Sequence, residues 1–196
     1  MSTKKINPRR LLITATAAKL FREKGYSATG MREIATIVGI EAASLYNHIQ
    51  SKSELLEEIC FKMAESFTNQ LKEVESNPTL NCLQQLEKIL RFHIGMWINH
   101  LDESIVTTTE SKYLNEPSFT TFNQERKEYV NKLENIIEMG IQQGIIKTIQ
   151  PYTVVLSIMS ALRGIEFWHR SKKGISAKEL ENNMVSYLIT GLNNIK

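Results

Sequence analysis

A chain of 196 residues, 42% hydrophobic and 23% charged, can bury a core as one domain or as a small domain joined to a larger one. No apolar run approaches the ~20 residues that a bilayer requires. The longest, Val154 to Leu162, contains serines and ends at Arg163, and the basic, polar start leads into no apolar segment of a signal peptide. A cytoplasmic protein without a membrane partner is expected.

The net charge of +3 conceals an asymmetry. Residues 1–52 carry Lys4, Lys5, Arg9, Arg10, Lys19, Arg22, Lys24, Arg32 and Lys52 against Glu23, Glu33 and Glu41, a balance of +6 that leaves −3 for the remainder. A basic first quarter suits phosphate neutralisation, and an acidic remainder does not. Cys60 and Cys82 lie in helical patterns without CxxC spacing or a nearby His, and read as small core residues in a reducing compartment.

In chain order, Asn7 is a good N-cap, Pro8 suits a first helical position and Gly25 closes the helix, whose apolar face is Ile13, Ala17, Leu20 and Phe21. The stretch Thr29 to Lys52 reads as two short helices around a glycine turn. Met31, Ile34, Ala35 and Val38 face one way on the first, Leu45 and Ile49 on the second, and Gly39 supplies the left-handed stop with Ile40 packing back. Ser51-Lys-Ser-Glu54 is a capping box for a helix to about Glu75, with Leu56, Ile59, Met63, Phe67, Leu71 and Val74 on one stripe. Helices are expected from Pro78 to about Leu101, from Pro117 to about Gln143 and from Pro151 to about Ser171, with a shorter, irregular one between Asp102 and Asn115. Ser176-Ala-Lys-Glu179 caps the last. The absence of period-2 alternation predicts an all-α protein of about nine helices.

The helix-turn-helix resembles the DNA-binding region of TetR-family repressors. Thr29, Ile34-Ala35, Gly39, Leu45-Tyr46, His48 and Ser51-Lys52 follow the family's ordered pattern, and Arg10, Ala17, Leu20-Phe21 and Gly25-Tyr26 match its first helix. The resemblance implies an N-terminal three-helix DNA-binding domain over 1–52, with its recognition region at 30–49, and a helical ligand-binding and dimerisation domain over 53–196. It implies double-stranded DNA as a partner, with phosphate contacts at Thr29, Tyr46, His48 and Lys52 and base-facing positions at Ala42, Ala43, Ser44 and Asn47; Arg10 is either a further DNA-binding residue or a solvated residue of the first helix. Hydroxyls and cations bind phosphate oxygens, Asn bonds adenine bidentately, and Ala methyls meet thymine methyls, so these residue types suit a duplex. Glu41 departs from the Ser or Thr that usually caps this helix, and Ala42-Ala43 from a frequent Lys-Gly. Glu41 is either a cytosine-amino acceptor or a carboxylate held by the helix dipole.

For the remainder, the resemblance implies a homodimer through the last two long helices, where Ile158, Ala161, Leu162, Ile165, Leu180, Met184, Leu188 and Leu192 form apolar and small-residue lines. Ordinary core packing within one chain is the competing reading. His93, Trp97 and His100 share one face of a helix, and with Tyr113, Arg163 and Phe167 they are the candidate lining of an apolar pocket with polar anchors. The runs TTTESKYLNEP and LRGIEFWHRSKKGIS resemble the C-terminal domains of TetR-like repressors of acyl-CoA catabolism. That implies an acyl-CoA or fatty-acid effector, with Arg163, Arg170, Lys172 and Lys173 available to its phosphate or carboxylate. Two histidines two turns apart do not make a metal site unless Glu110 or His169 joins them, so neither metal nor cofactor is expected. No GxSxG, HExxH, P-loop or paired CxxC marks an enzyme. A small all-α enzyme and a constitutive DNA-binding protein without effector are the alternatives to a ligand-responsive repressor.

Overall fold

Asn7 opens α1 (Pro8–Lys24) by accepting from Arg9 N at 3.0 Å, and Pro8 follows where a missing N–H costs nothing. The computed structural model describes residues 7–171 and 174–193, so Lys4, Lys5, Lys172 and Lys173 lie outside the described residues. The chain continues through α2 (Met31–Val38), α3 (Ala42–Tyr46), α4 (Lys52–Glu75), α5 (Cys82–Asn99), α6 (Leu101–Thr109), a 3-10 turn (Ser111–Tyr113), α7 (Ser118–Gln142), α8 (Pro151–Arg163), α9 (Ile165–Ser171) and α10 (Ala177–Thr190). The fold is all-α, with an N-terminal helix-turn-helix and a larger helical remainder. An isolated bridge between Ile146 and Asn193 adds no strand among the described residues.

Two boundaries differ from the expectation. Pro78 does not open α5; Asn81 and Gln84 form a reciprocal capping box further along, satisfying two N–H groups where proline satisfies none. The helix expected from Pro151 to Ser171 breaks at Gly164, whose N–H bonds the Ala161 carbonyl at 3.0 Å in a tightened turn, since glycine is a poor helix former.

The chain divides into two compact units, Met1–Glu65 with Asp102–Asn123, and Ser66–Leu101 with Gln124–Lys196. The first is larger than the 1–52 read from the sequence. Val106, Leu114 and Phe122 pack into the same buried cluster as Phe21, Ile34, Leu45, Ile49 and Leu56, so the 102–123 segment completes a core that three short helices leave thin. Each fully buried side chain there stabilises by roughly 1.5–3 kcal/mol. In the second unit α5 packs against α8, α9 and α10.

Candidate nucleic-acid interface and ligand cavity

The turn between α2 and α3 is fixed by the main chain. Gly39, at φ 74°, ends α2 in the left-handed conformation; its N–H bonds Thr36 O at 3.2 Å and Ile40 N–H bonds Ala35 O at 3.0 Å. This paired pattern satisfies two carbonyls that the helix end would otherwise leave open. Leu45 and Ile49 are fully buried and anchor the α3 segment, which leaves its other side outward. Glu41, Ala43, Tyr46 and Asn47 are exposed, and Ala42, Ser44 and His48 half-buried. The base-facing positions inferred from the resemblance therefore belong to one segment whose inward side chains are committed to the core. Glu41 stands at the α3 N-cap without a side-chain capping bond.

The other expected DNA-binding residues divide. Tyr46 is open to solvent, and the His48 ring lies 3.4 Å from Asn7 Nδ2. Three others are turned inward. Arg10 donates from Nε to Glu58 at 2.7 Å, from Nη2 to Glu54 at 2.8 Å and from Nη1 to the His48 carbonyl at 2.9 Å. Thr29 is only 2% exposed and donates its hydroxyl to Gly25 O at 2.9 Å. Lys52 Nζ donates to the carbonyls of Tyr26 at 2.8 Å and Thr29 at 2.9 Å, and lies 4.5 Å from the Tyr26 ring centroid. These side chains build the frame that holds α3, because the turn after α1 leaves main-chain oxygens to satisfy. Partial burial works against ionisation of Glu54, but the Gln50 N–H and the Arg10 guanidinium outweigh it and hold the carboxyl below its usual range. Arg9 and Arg32, which the sequence pattern does not place at the interface, are exposed cations of the same unit. Their place in the basic first quarter of the chain is the signal that marks them.

Tyr113, expected in the ligand pocket, belongs instead to the first unit. Its ring stacks on Tyr26 with centroids 5.4 Å apart, while Glu110 accepts from Tyr26 N at 2.9 Å. Glu110 is thereby engaged away from any histidine pair. Among the described residues no three metal-ligating side chains converge.

In the second unit the expected ligand set separates. His93 is buried, stacked on Phe67 at 4.3 Å, with Nε2 2.7 Å from the Tyr129 hydroxyl. Burial pushes its pKa down to about 4 and the Tyr129 phenol upward, so both are neutral near pH 7. His93 borders a small cavity walled by aliphatic side chains of α5, α7 and α8. Trp97 is buried one turn further along α5, its carbonyl 3.2 Å from the His169 ring. His100 and Arg163 are exposed, and Phe167 is 69% exposed beside Arg170. Of the six expected residues, His93 alone lines the cavity, since a shared helical face says nothing about which stripe the neighbouring helices cover. Tyr129 and Phe67 escape a sequence reading; each sits in an ordinary apolar stripe, with no signal tying it to His93.

The residues expected at a dimer interface differ in exposure within the single chain. Ile158, Leu162, Ile165 and Leu192 are buried inside the chain, and Ala161, Leu180, Met184 and Leu188 half-buried. The exposed large apolar side chains of α8, α9 and α10 are Tyr152, Leu156, Phe167 and Tyr187, the last 81% exposed. Two apolar stripes run along α8, and the intrachain core takes the one with Ile158 and Leu162.

Residues 13–59 match the family described as bacterial regulatory proteins, tetR family, and residues 79–192 match the tetracyclin repressor-like C-terminal domain. The chain is 22% identical to the HTH-type transcriptional repressor KstR2 of Mycobacterium tuberculosis (strain ATCC 25618 / H37Rv) over 95% of its own length and 94% of the relative's. It is 21% identical to the fatty acid metabolism regulator protein of Bacillus subtilis (strain 168), over 97% and 99%. Among solved structures, AibR in complex with isovaleryl coenzyme A and operator DNA superposes with a TM-score of 0.78 at 28% identity, covering 92% of this chain and 98% of that one. No helix among the described residues is long and apolar enough to cross a membrane.

Proposed function

Because the chain belongs to the TetR family of bacterial regulatory proteins, we propose that it is a cytoplasmic, homodimeric repressor that grips a pseudopalindromic operator and is released by a small-molecule effector. The observation that carries this reading is the α2–α3 segment, in which Leu45 and Ile49 are buried while Ala43, Tyr46 and Asn47 stand outward on a rigid turn. A recognition helix so held enters the major groove with its side chains against base edges. Asn47, Ser44, Ala42 and Ala43 read bases, with Glu41 at the rim; Tyr46 and His48 reach phosphate. Arg10, Thr29 and Lys52 hold the frame. The functional division is a DNA-binding region over 1–52 and a ligand-binding and dimerisation region over 53–196.

Dimerisation uses the last helices, where Tyr152, Leu156, Phe167 and Tyr187 are exposed, since aromatic side chains are enriched at interfaces. Two copies related by a two-fold axis place recognition helices one DNA turn apart, ~34 Å. The effector is an acyl-CoA or a fatty acid; the AibR neighbour holds isovaleryl coenzyme A, and the Bacillus subtilis relative is a fatty acid metabolism regulator. Its binding favours one of two conformations that differ in DNA affinity, and the usual coupling of ~1–3 kcal/mol changes affinity ~5–150-fold. The protein is a regulator and not an enzyme.

Titrating acyl-CoAs of graded chain length, and the matching fatty acids, into a complex with a selected duplex tests the reading. Release by at least one supports it, while turnover of a thioester, or a complex indifferent to every one, contradicts it.

A further inference from the structure

An unpaired carboxylate stands beside the segment that has to meet a polyanion. Glu41 is exposed at the N-cap of α3 with extended backbone, φ −64° and ψ 143°, and its carbonyl accepts from Leu45 N at 3.1 Å, so the helix that it opens fixes its main chain. A carboxylate in this place is accounted for when it bonds the first amides of the helix or sits in the field of many aligned peptides. Neither applies here. Glu41 makes no side-chain capping bond, and α3 is five residues long, too short for much of a dipole. Elsewhere in the same unit Glu33 is paired with Lys24, and Glu54 and Glu58 with Arg10. Glu41 has no hydrogen bond or ion pair from its side chain among the described residues. Ala42 and Ala43 beside it carry single methyl groups, so no longer side chain competes with it for a groove edge at this end of the segment.

An anion so placed weakens binding to every duplex by repulsion from the phosphates unless a base donates to it. A carboxylate is an acceptor only. In the major groove guanine offers two acceptors and thymine one, and the amino group of adenine stands beside an acceptor nitrogen. Cytosine alone presents an amino donor with no acceptor on its own edge.

We propose that Glu41 is a specificity-determining residue whose carboxylate accepts from the amino group of one cytosine in each half-site, at the base pair that faces the start of α3. The inference rests on the DNA-binding reading above and adds to it the identity of one base. It gives the residue that departs from the usual cap a part in choosing the operator, rather than in holding the helix.

Binding-site selection with the full chain and with Glu41→Ala, Glu41→Gln and Glu41→Ser, followed by anisotropy titration of the enriched duplexes, tests it. The unmodified protein is expected to enrich a cytosine in each half-site that Glu41→Ala no longer selects, with the other enriched positions unchanged. Replacing that C·G pair by any other is expected to weaken the unmodified protein about tenfold, and Glu41→Ala by about twofold or less. Glu41→Gln is expected to admit adenine there, because an amide accepts from N6 while donating to N7. Glu41→Ser supplies the cap that α3 lacks, so it is expected to keep or raise the melting temperature and still lose the cytosine preference, which separates reading a base from holding the helix. The same enriched bases from the unmodified protein and all three variants overturn the inference and leave the DNA-binding reading standing. A base other than cytosine at the position that the substitutions alter does the same. Enrichment of no palindrome by the unmodified protein overturns both.

Discussion

Arg10 Nη1 donates to the main-chain oxygen of His48 at 2.9 Å, so the first helix holds the end of the recognition segment directly. With Glu54 and Glu58 on the same guanidinium, one side chain joins α1, the α3 end and α4. On the function proposed above it is a positioning residue rather than a phosphate contact.

Arg10→Ala is expected to lower stability by about 1–2 kcal/mol, less than a fully buried charged network because more than a third of the side chain is open to solvent. Operator affinity falls with it. The slope of log affinity against log salt stays unchanged, since no phosphate contact is lost. Thermal melts paired with a salt series check this, and a slope reduced by about one would identify Arg10 as a phosphate contact instead. Arg10→Lys does not restore stability, because an ammonium cannot reproduce three directed bonds.

Asn47 and Tyr46 behave oppositely. Both are exposed, so Asn47→Ala and Tyr46→Phe leave the melting temperature within about a degree, consistent with surface substitutions within ±0.5 kcal/mol. Asn47→Ala costs about 1–3 kcal/mol of operator binding and relaxes preference at one base pair, whereas Tyr46→Phe weakens all duplexes alike. Binding-site selection with each variant distinguishes the two.

Acid exposes the buried histidine. In the folded protein His93 resists protonation, with a value of about 4 against ~6.5 when unfolded, so the unfolded chain binds more protons in that window. The stability linked to His93 is fully present above about pH 6.5 and is lost as pH falls towards 4, amounting to about 3 kcal/mol. Denaturant titrations from pH 7 to 4.5 are expected to show a steeper decline for the wild type than for His93→Leu/Tyr129→Phe. Parallel curves would place the histidine in contact with solvent.

Substitutions on α8 and α10 distinguish the core from the proposed interface. Tyr187→Glu on α10 is expected to give a monomer by sedimentation, with operator binding lost. Leu162→Ala, inside the chain, lowers stability by about 2–4 kcal/mol and leaves the folded fraction dimeric. An unchanged dimer in Tyr187→Glu would put the interface elsewhere.

These two helices also show where the sequence stops being legible. Gly39, Leu45 and Ile49 declare the helix-turn-helix because a left-handed stop between two short amphipathic helices is a local requirement, written in adjacent residues. The inward stripe of α1 is equally plain. Which stripe of α8 faces inward is not local, because Ile158 and Leu156 are both apolar and only packing against α5 chooses between them. The inward turn of Arg10, Thr29 and Lys52 is hidden for a related reason. A cation or hydroxyl beside a recognition helix can serve the duplex or the protein's own carbonyls, and the free Tyr26 and Thr29 oxygens that Lys52 satisfies exist only once the turn is folded. His93 stands out in the sequence, but its partner Tyr129 lies 36 residues away on another helix.

Selection of duplexes from a random library, followed by anisotropy titration of the enriched sequence with wild type and Asn47→Ala, tests the central claim most directly. The recognition segment is predicted to enrich a pseudopalindrome with half-sites about one helical turn apart, bound with affinity that falls steeply with salt, and Asn47→Ala is predicted to change the enriched base in both half-sites symmetrically. Enrichment of no palindrome, or an identical motif from the Asn47→Ala protein, would contradict the account.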